Sequence, residues 1–223
     1  MPGCEKKSLV CDAYIRLKDE IRSNRIPSGY QASEPEIALR LGMSRTPVRE
    51  ALIRLETEGL VELIPRRGAR VLPISIDDMK EIYELLISLE PDAAAKLAAR
   101  NPNKQELKQL EIATTDMEEA LVKDDLDAWA DADDRFHHHM LDLHGNQRLR
   151  EIVLSLNDQA HRTRIVTLRL REKPYKSTQE HRKILQYLGQ GDVEATRTAF
   201  REHRERAASE LINILEKYRI TQL

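Results

Sequence analysis

Asp133 and His137 stand four residues apart in the run DADDRFHHHM, a spacing that puts both on one face of a helix. Leu126, Trp129, Phe136 and Met140 form an apolar stripe on that face, so the carboxylate and the imidazole point toward a core. On two further helical stretches, His181 aligns with Ile184, Leu185 and Leu188, and His203 lies beside Ala199, Phe200 and Ala207. Burying such groups without partners is expensive, so either they hydrogen-bond within the core or they hold a cation. His138 and His139 project away from the stripe, and His144 and His161 fit it poorly; these four are expected at the surface.

A second constellation is cationic. In SEPEIALRLGMSRTPVREALIRLETEG, residues 33–59, Ile37, Ala38 and Leu41 supply one helical face and Gly42 breaks the chain. Ser44 is placed to cap a second helix, and Pro47 falls in its first turn, where a missing N–H costs little. Val48, Leu52 and Leu55 pack that helix inward, while Arg45, Thr46 and Arg49 stay exposed at its start. This is a helix-turn-helix whose second helix can offer its N-terminal end to a DNA major groove. Beyond Gly59, strand-like runs at 60–64 and 69–72 bracket the turn Pro65-Arg66-Arg67-Gly68. The expected hairpin is a wing: Arg66 and Arg67 can follow the phosphate backbone or enter a minor groove, and Gly68 permits close approach. Arg40 and Arg54 could equally be phosphate contacts or solubility charges.

The elements that position these residues follow from composition and periodicity. Of 223 residues, 33% are charged, only 4% are aromatic and eight are glycine, which favours packed amphipathic helices over a sheet-rich fold. The length suits two domains, expected at 1–74 and 75–223. Residues 1–72 hold 13 Lys and Arg against 10 Asp and Glu, a balance of +3, which leaves −5 for the rest of a chain whose net charge is −2. A basic module carried by an acidic partner is a footprint of phosphate contact. Val10, Ala13, Tyr14, Leu17 and Ile21 predict a scaffold helix over 9–23. After Pro73, Ser75-Ile76-Asp77-Asp78 opens a long helix through Met79, Ile82, Leu86 and Leu97, and further helices are expected at 104–123, up to Leu143, at 149–171, from a Ser177/Glu180 capping box to Gly189 and Gly191, and from Asp192 to about 219. The expected architecture is a mostly α protein, with an N-terminal winged helix-turn-helix followed by an all-α six-helix bundle.

Neither a signal-peptide core nor a membrane-length apolar run is present, and Cys4 and Cys11 support neither a disulfide framework nor a zinc knuckle, so a cytoplasmic protein is expected. No His-Glu-x-x-His, nucleophile elbow or phosphate-binding loop appears, which argues against an enzyme. Two alternatives remain open, a hydrolase in which the Asp/His cluster activates water and a DNA-binding protein without an effector.

The string LGMSRTPVREALIRLETEGLVELIPRRGARV closely resembles the winged helix-turn-helix of GntR-family transcription regulators. The six helices after it resemble the FCD effector domain of the FadR-like subgroup, so the resemblance spans roughly residues 9–217. It implies DNA contacts from Arg45, Thr46 and Arg49, with Ser44 and the wing's Gly68 nearby, and a homodimer, usually a repressor, reading an inverted-repeat operator in double-stranded DNA. It also implies that Asp133, His137, His181 and His203 bind a divalent transition metal, whether Zn²⁺, Ni²⁺, Mn²⁺ or Fe²⁺, and that a small organic carboxylate occupies open metal positions as effector. Two departures stand out. Pro35 replaces a DNA-contacting arginine found in some relatives, and Leu86 replaces an arginine in the helix leading to Leu89-Glu90; Asn157 or Arg164 could instead meet the effector's carboxylate.

Overall fold

Ser8 accepts a hydrogen bond from the Cys11 amide and starts α1 (Leu9–Arg22), which buries Ala13, Tyr14, Leu17 and Ile21. The computed structural model describes residues 8–73 and 75–219 and divides into two compact units, one chiefly of residues up to Ser75, the other chiefly from Ile76 onward. In the first unit α1 is followed by β1 (Gln31–Ala32), α2 (Glu34–Leu41), α3 (Arg45–Thr57), β2 (Val61–Ile64) and β3 (Gly68–Val71). The strands form an antiparallel sheet in the order β1-β3-β2, with Val61 opposite Val71 and Gln31 opposite Arg70. The two-residue β1 has no periodicity to predict it. Its pairing with β3 anchors the wing to the chain just before α2.

Helix α2 opens with a reciprocal capping box between Ser33 and Glu36 and ends at Gly42, whose φ of 69° is left-handed. Ser44 is the N-cap of α3, but its side chain makes no capping hydrogen bond, contrary to expectation. The third residue of α3 is Pro47, so one N–H that an N-cap hydroxyl normally takes does not exist. Val48, Ala51, Leu52 and Leu55 bury the inner face of α3 against α1 and the sheet. Tyr14 donates to Glu58 at 2.6 Å and Lys18 pairs with Glu58 at 2.8 Å, which fixes the end of α3. Cys11 is buried and disulfide-bonded, a correction to the reading of unlinked thiols; Cys4 lies outside the described residues.

Among the described residues the second unit has six helices: α4 (Ile76–Ala99), α5 (Lys108–Val122), α6 (Leu126–His144), α7 (Gln147–Leu168), α8 (Tyr175–Gln190) and α9 (Val193–Lys217). Asp125, Asn146 and Asp192 cap α6, α7 and α9 through side-chain oxygens. Two expectations change. Residues 104–107 form a turn, in which the Asn103 side chain holds the Gln105 and Glu106 amides, so α5 starts late. Helix α8 starts at Tyr175 behind Pro174, so Ser177 and Glu180 lie inside it instead of capping it. The chief packing pairs are α4 with α9, α5 with α6, and α8 with α9. These bring the inner faces of α4, α6, α8 and α9 to one core. No helix among the described residues is long and apolar enough to cross a membrane.

Candidate metal centre and nucleic-acid interface

On the first unit, Ser44, Arg45, Thr46 and Arg49 are exposed at the start of α3, while Pro47 and Val48 between them are buried. Arg45 and Arg49 both approach Glu34 at the start of α2, at 3.9 and 3.8 Å, and their side chains remain 68% and 70% exposed. With Arg66 and Gly68 they line an open cleft between α3 and the wing, to which Pro35 also contributes. Arg66 turns the wing with a φ of 64°, and Arg67 closes the turn by donating its amide to the Ile64 carbonyl at 2.9 Å. Arg40 is paired with Glu20 at 2.9 Å, and the Arg54 guanidinium lies 4.0 Å from the centre of the Tyr14 ring. Both of these arginines are engaged within their own unit.

In the second unit the two four-residue spacings of α6 and α8 converge. One ring nitrogen from each of His137, His181 and His203 lies within 4.8 Å of the others, and all three residues are buried. Nε2 of His137 is 3.3 Å from Nε2 of His181, which is 3.5 Å from Oδ1 of Asp133. Donor atoms around one divalent ion with bonds near 2.1 Å sit about 3.0–3.4 Å apart, so these edges fit a coordination shell without large movement. Phe136 stands edge-on to His181 with centroids 4.5 Å apart, and Phe200 edge-on to His137 at 5.6 Å, so aromatic walls hold the rings.

The outward nitrogens of the rings are anchored. His181 Nδ1 meets the Ser177 carbonyl at 2.8 Å, one helical turn back on α8. His203 Nδ1 meets Glu180 at 2.8 Å, and Glu180 is itself clamped by Arg206. Each anchor leaves Nε2 as the nitrogen facing the centre, the orientation that carboxylates and carbonyls impose on metal-binding histidines. Sequence reasoning misses both anchors, because Ser177 and Glu180 in S-x-x-E spacing read as a capping box.

Electrostatics favour lone pairs over protons in this core. Burial, then the charge of Arg204, brings His137 down to about 4, and burial with His203 nearby pulls His181 well below its ordinary value. Burial pushes the Asp133 carboxyl up, but the histidines and Arg164 outweigh it and hold it well below the usual range. A histidine lowered on folding binds its proton more tightly in the unfolded chain. Its penalty is therefore absent above pH 6.5 and grows as pH falls toward the folded value. For His137 that is roughly 3 kcal/mol by pH 4. Urea unfolding of EDTA-treated protein should show a clear loss of stability between pH 7 and pH 5, and an unchanged midpoint would mean that the rings are not held neutral.

The remaining candidates fall differently. Arg164, 12% exposed, reaches Asp133 and Asp134 at 3.4 Å each, and Asn157, 1% exposed, accepts a hydrogen bond from Arg204 at 3.2 Å. Both sit inside. His138, His139 and His144 are half-buried, while His161, expected at the surface, is buried. The apolar stripe that serves to place the histidines belongs to α6, whereas His161 sits on α7, so that stripe does not predict its burial.

Comparison with known proteins decides the family. The model described as FCD domain matches residues 81–206, more than half of the chain, and that described as bacterial regulatory proteins, gntR family, matches residues 9–71. The chain belongs to the GntR family and carries an FCD domain. A helix-turn-helix transcriptional regulator from the TAR-I ttuE-ttuC′ intergenic region of Agrobacterium vitis is 48% identical over 130 residues, covering 57% of this chain and 76% of that protein. The transcriptional repressor RspR of Escherichia coli is 28% identical over 85% of this chain and 83% of its own. The solved structure of Escherichia coli McbR/YncC has a TM-score of 0.81 at 23% identity, covering 92% of this chain and 98% of that one, and so shares the fold. This GntR-family protein is therefore a DNA-binding transcriptional regulator with an effector-binding domain, not an enzyme. Within the GntR/FCD frame, Glu34, Glu90, Glu180 and Arg204 are the site neighbours that spacing alone does not reveal.

Proposed function

We propose that this regulator is a cytoplasmic homodimer, acting as a repressor, in which Asp133, His137, His181 and His203 hold a divalent transition metal. A small organic carboxylate binds at the metal's open positions, within reach of Arg164 or Asn157, and alters affinity for an inverted-repeat operator. The observation that carries this reading is the convergence of three buried imidazoles and a carboxylate held ionised, with two of the rings anchored from behind. Three buried imidazoles, with the Asp133 carboxylate beside His181, make up the kind of nitrogen and oxygen donor set that a divalent transition metal takes. The metal would polarise and hold the effector's carboxylate; the chain's residues orient the ligands and exclude water. Effector binding then shifts the balance between states of different operator affinity. Elemental analysis of the purified protein, followed by operator titration with metabolite carboxylates that bind it, tests both halves. No bound metal, or unchanged operator affinity with a carboxylate that measurably binds, overturns the corresponding half.

DNA recognition is assigned to Ser44, Arg45, Thr46 and Arg49 at the start of α3, with Arg66, Arg67 and Gly68 on the wing. Support comes from the exposure of the arginines and the cleft they share with the wing. Arg49→Ala is expected to weaken specific binding by roughly 1–3 kcal/mol. Fluorescence anisotropy against operator and random duplex at fixed salt measures this, and unchanged operator affinity removes Arg49 from the interface.

A further inference from the structure

His137 differs from the other two ring ligands in what stands behind it. The Ser177 carbonyl can only accept, so His181 carries its proton on Nδ1; ionised Glu180 imposes the same tautomer on His203. His137 Nδ1 instead faces a donor, Arg204 Nη2 at 3.0 Å, and an acceptor, Glu90 Oε1 at 3.2 Å. Glu90 and Arg204 are ion-paired with each other and only 0% and 1% exposed, and Arg204 Nη2 also donates to Asn157 Oδ1 at 3.2 Å. Because His181 Nε2 is bare, the 3.3 Å contact between the two rings needs a proton on His137 Nε2. Nδ1 of His137 is then bare and accepts from Arg204. In that arrangement Glu90 Oε1 accepts no hydrogen bond, although it is fully buried.

A cation at the centre needs the opposite tautomer. His137 Nε2 must offer a lone pair, so the ring's one proton must sit on Nδ1. There it can donate to Glu90 Oε1, 3.2 Å away, and Arg204 Nη2 must turn from the ring while Arg204 keeps its partners Glu90 and Asn157. The ring is neutral before and after: one proton leaves Nε2, one arrives at Nδ1, and exchange with water balances the two.

We propose that the buried Glu90–Arg204 pair selects the tautomer of His137, with Arg204 holding the ring closed to a cation and Glu90 holding it open. Metal uptake is thereby coupled to a turn of the Arg204 guanidinium on α9 away from His137 on α6, its ion pair with Glu90 on α4 kept. This inference rests on the metal reading above. Glu90 and Arg204 act through His137 and are positioning residues.

Long-range ¹H–¹⁵N correlation of the histidine side chains reads the tautomers directly in full-length protein, EDTA-treated and then loaded with Zn²⁺. His181 and His203 are expected as Nδ1–H in both states, and His137 is expected to change from Nε2–H to Nδ1–H. Competition with a chelator then gives Zn²⁺ affinity: Glu90→Gln should weaken it roughly 10–100-fold, and Arg204→Met should tighten it. A merely structural pair would weaken binding in both variants, so the opposite signs discriminate. Should either single variant fail to fold with a stranded charge, the double variant E90Q/R204M keeps the test open; there His137 should show mixed tautomers in EDTA. Nδ1–H at His137 in EDTA-treated wild type, or weaker Zn²⁺ binding in both single variants, overturns the proposal. Failure of wild type to bind Zn²⁺ sinks the metal reading instead, while the tautomer in EDTA still judges the pair.

Discussion

His181→Ala is expected to leave the purified regulator with less than about a tenth of the wild-type metal content and a markedly lower midpoint of thermal unfolding. His181 is fully buried, its Nε2 is within 3.5 Å of both His137 and Asp133, and its ring packs on Phe136. A ligand that saturates a folded protein at a thousand times its Kd stabilises it by about 4 kcal/mol, so loss of the metal alone accounts for a large effect. The cavity left by the ring adds to it. EDTA-treated wild type separates the two contributions. Wild type should lose stability on chelation, whereas the variant should melt at the same temperature with and without EDTA. Stoichiometric metal in purified His181→Ala would refute the ligand role.

Gly68→Ala carries the second large expectation. Gly68 has a φ of 90°, and a Cβ there would stand 2.1 Å from the Ala32 carbonyl oxygen and 2.4 Å from Ser33 Cα. Both obstacles are backbone, so no side chain can swing aside; the β1–β3 pairing has to open. Strained backbone alone costs about 1–3 kcal/mol, and the lost pairing takes the expected total to the top of that range or beyond. Urea unfolding should show the loss, and operator affinity should fall as the wing shifts. Gly42→Ala provides the contrast: its φ of 69° is also left-handed, yet nothing lies within 4 Å of the added Cβ. It should cost only about 1 kcal/mol. Equal losses in the two variants would mean that the close approach at Gly68 is not what holds the wing.

Much of this architecture is legible in the residues because each element carries its own punctuation. Gly42, Gly145 and Gly191 take left-handed conformations where the helices end, and Asp125, Asn146 and Asp192 supply side-chain caps where the next ones begin. Four-residue periodicity also places Asp133 and His137 on one inward face. What periodicity cannot convey is who stands behind a ligand. Glu90 and Arg204 are 114 positions apart and meet only because α4 packs on α9. A charged residue on an apolar stripe reads as an interruption until its partner is known. Ser177 and Glu180 mislead for a different reason: inside α8 the Ser177 main-chain carbonyl meets His181 and the Glu180 side chain meets His203, so neither acts as the capping motif suggests. The two-residue β1 is invisible because two residues have no period.

The anchoring of His181 and His203 from a single turn of α8 bears on how this domain can diverge in length. Ser177, Glu180 and His181 keep their partners only while they hold their relative angles around the helix, and inserting one residue between them would rotate His181 by about 100°. Length changes in relatives should therefore collect in the connectors, such as residues 169–174 and 101–107, where the backbone is irregular and no ligand or anchor resides. An insertion there shifts no ring. A single added codon within 177–181 should abolish the centre as fully as removing a ligand, although every ligand would still be encoded.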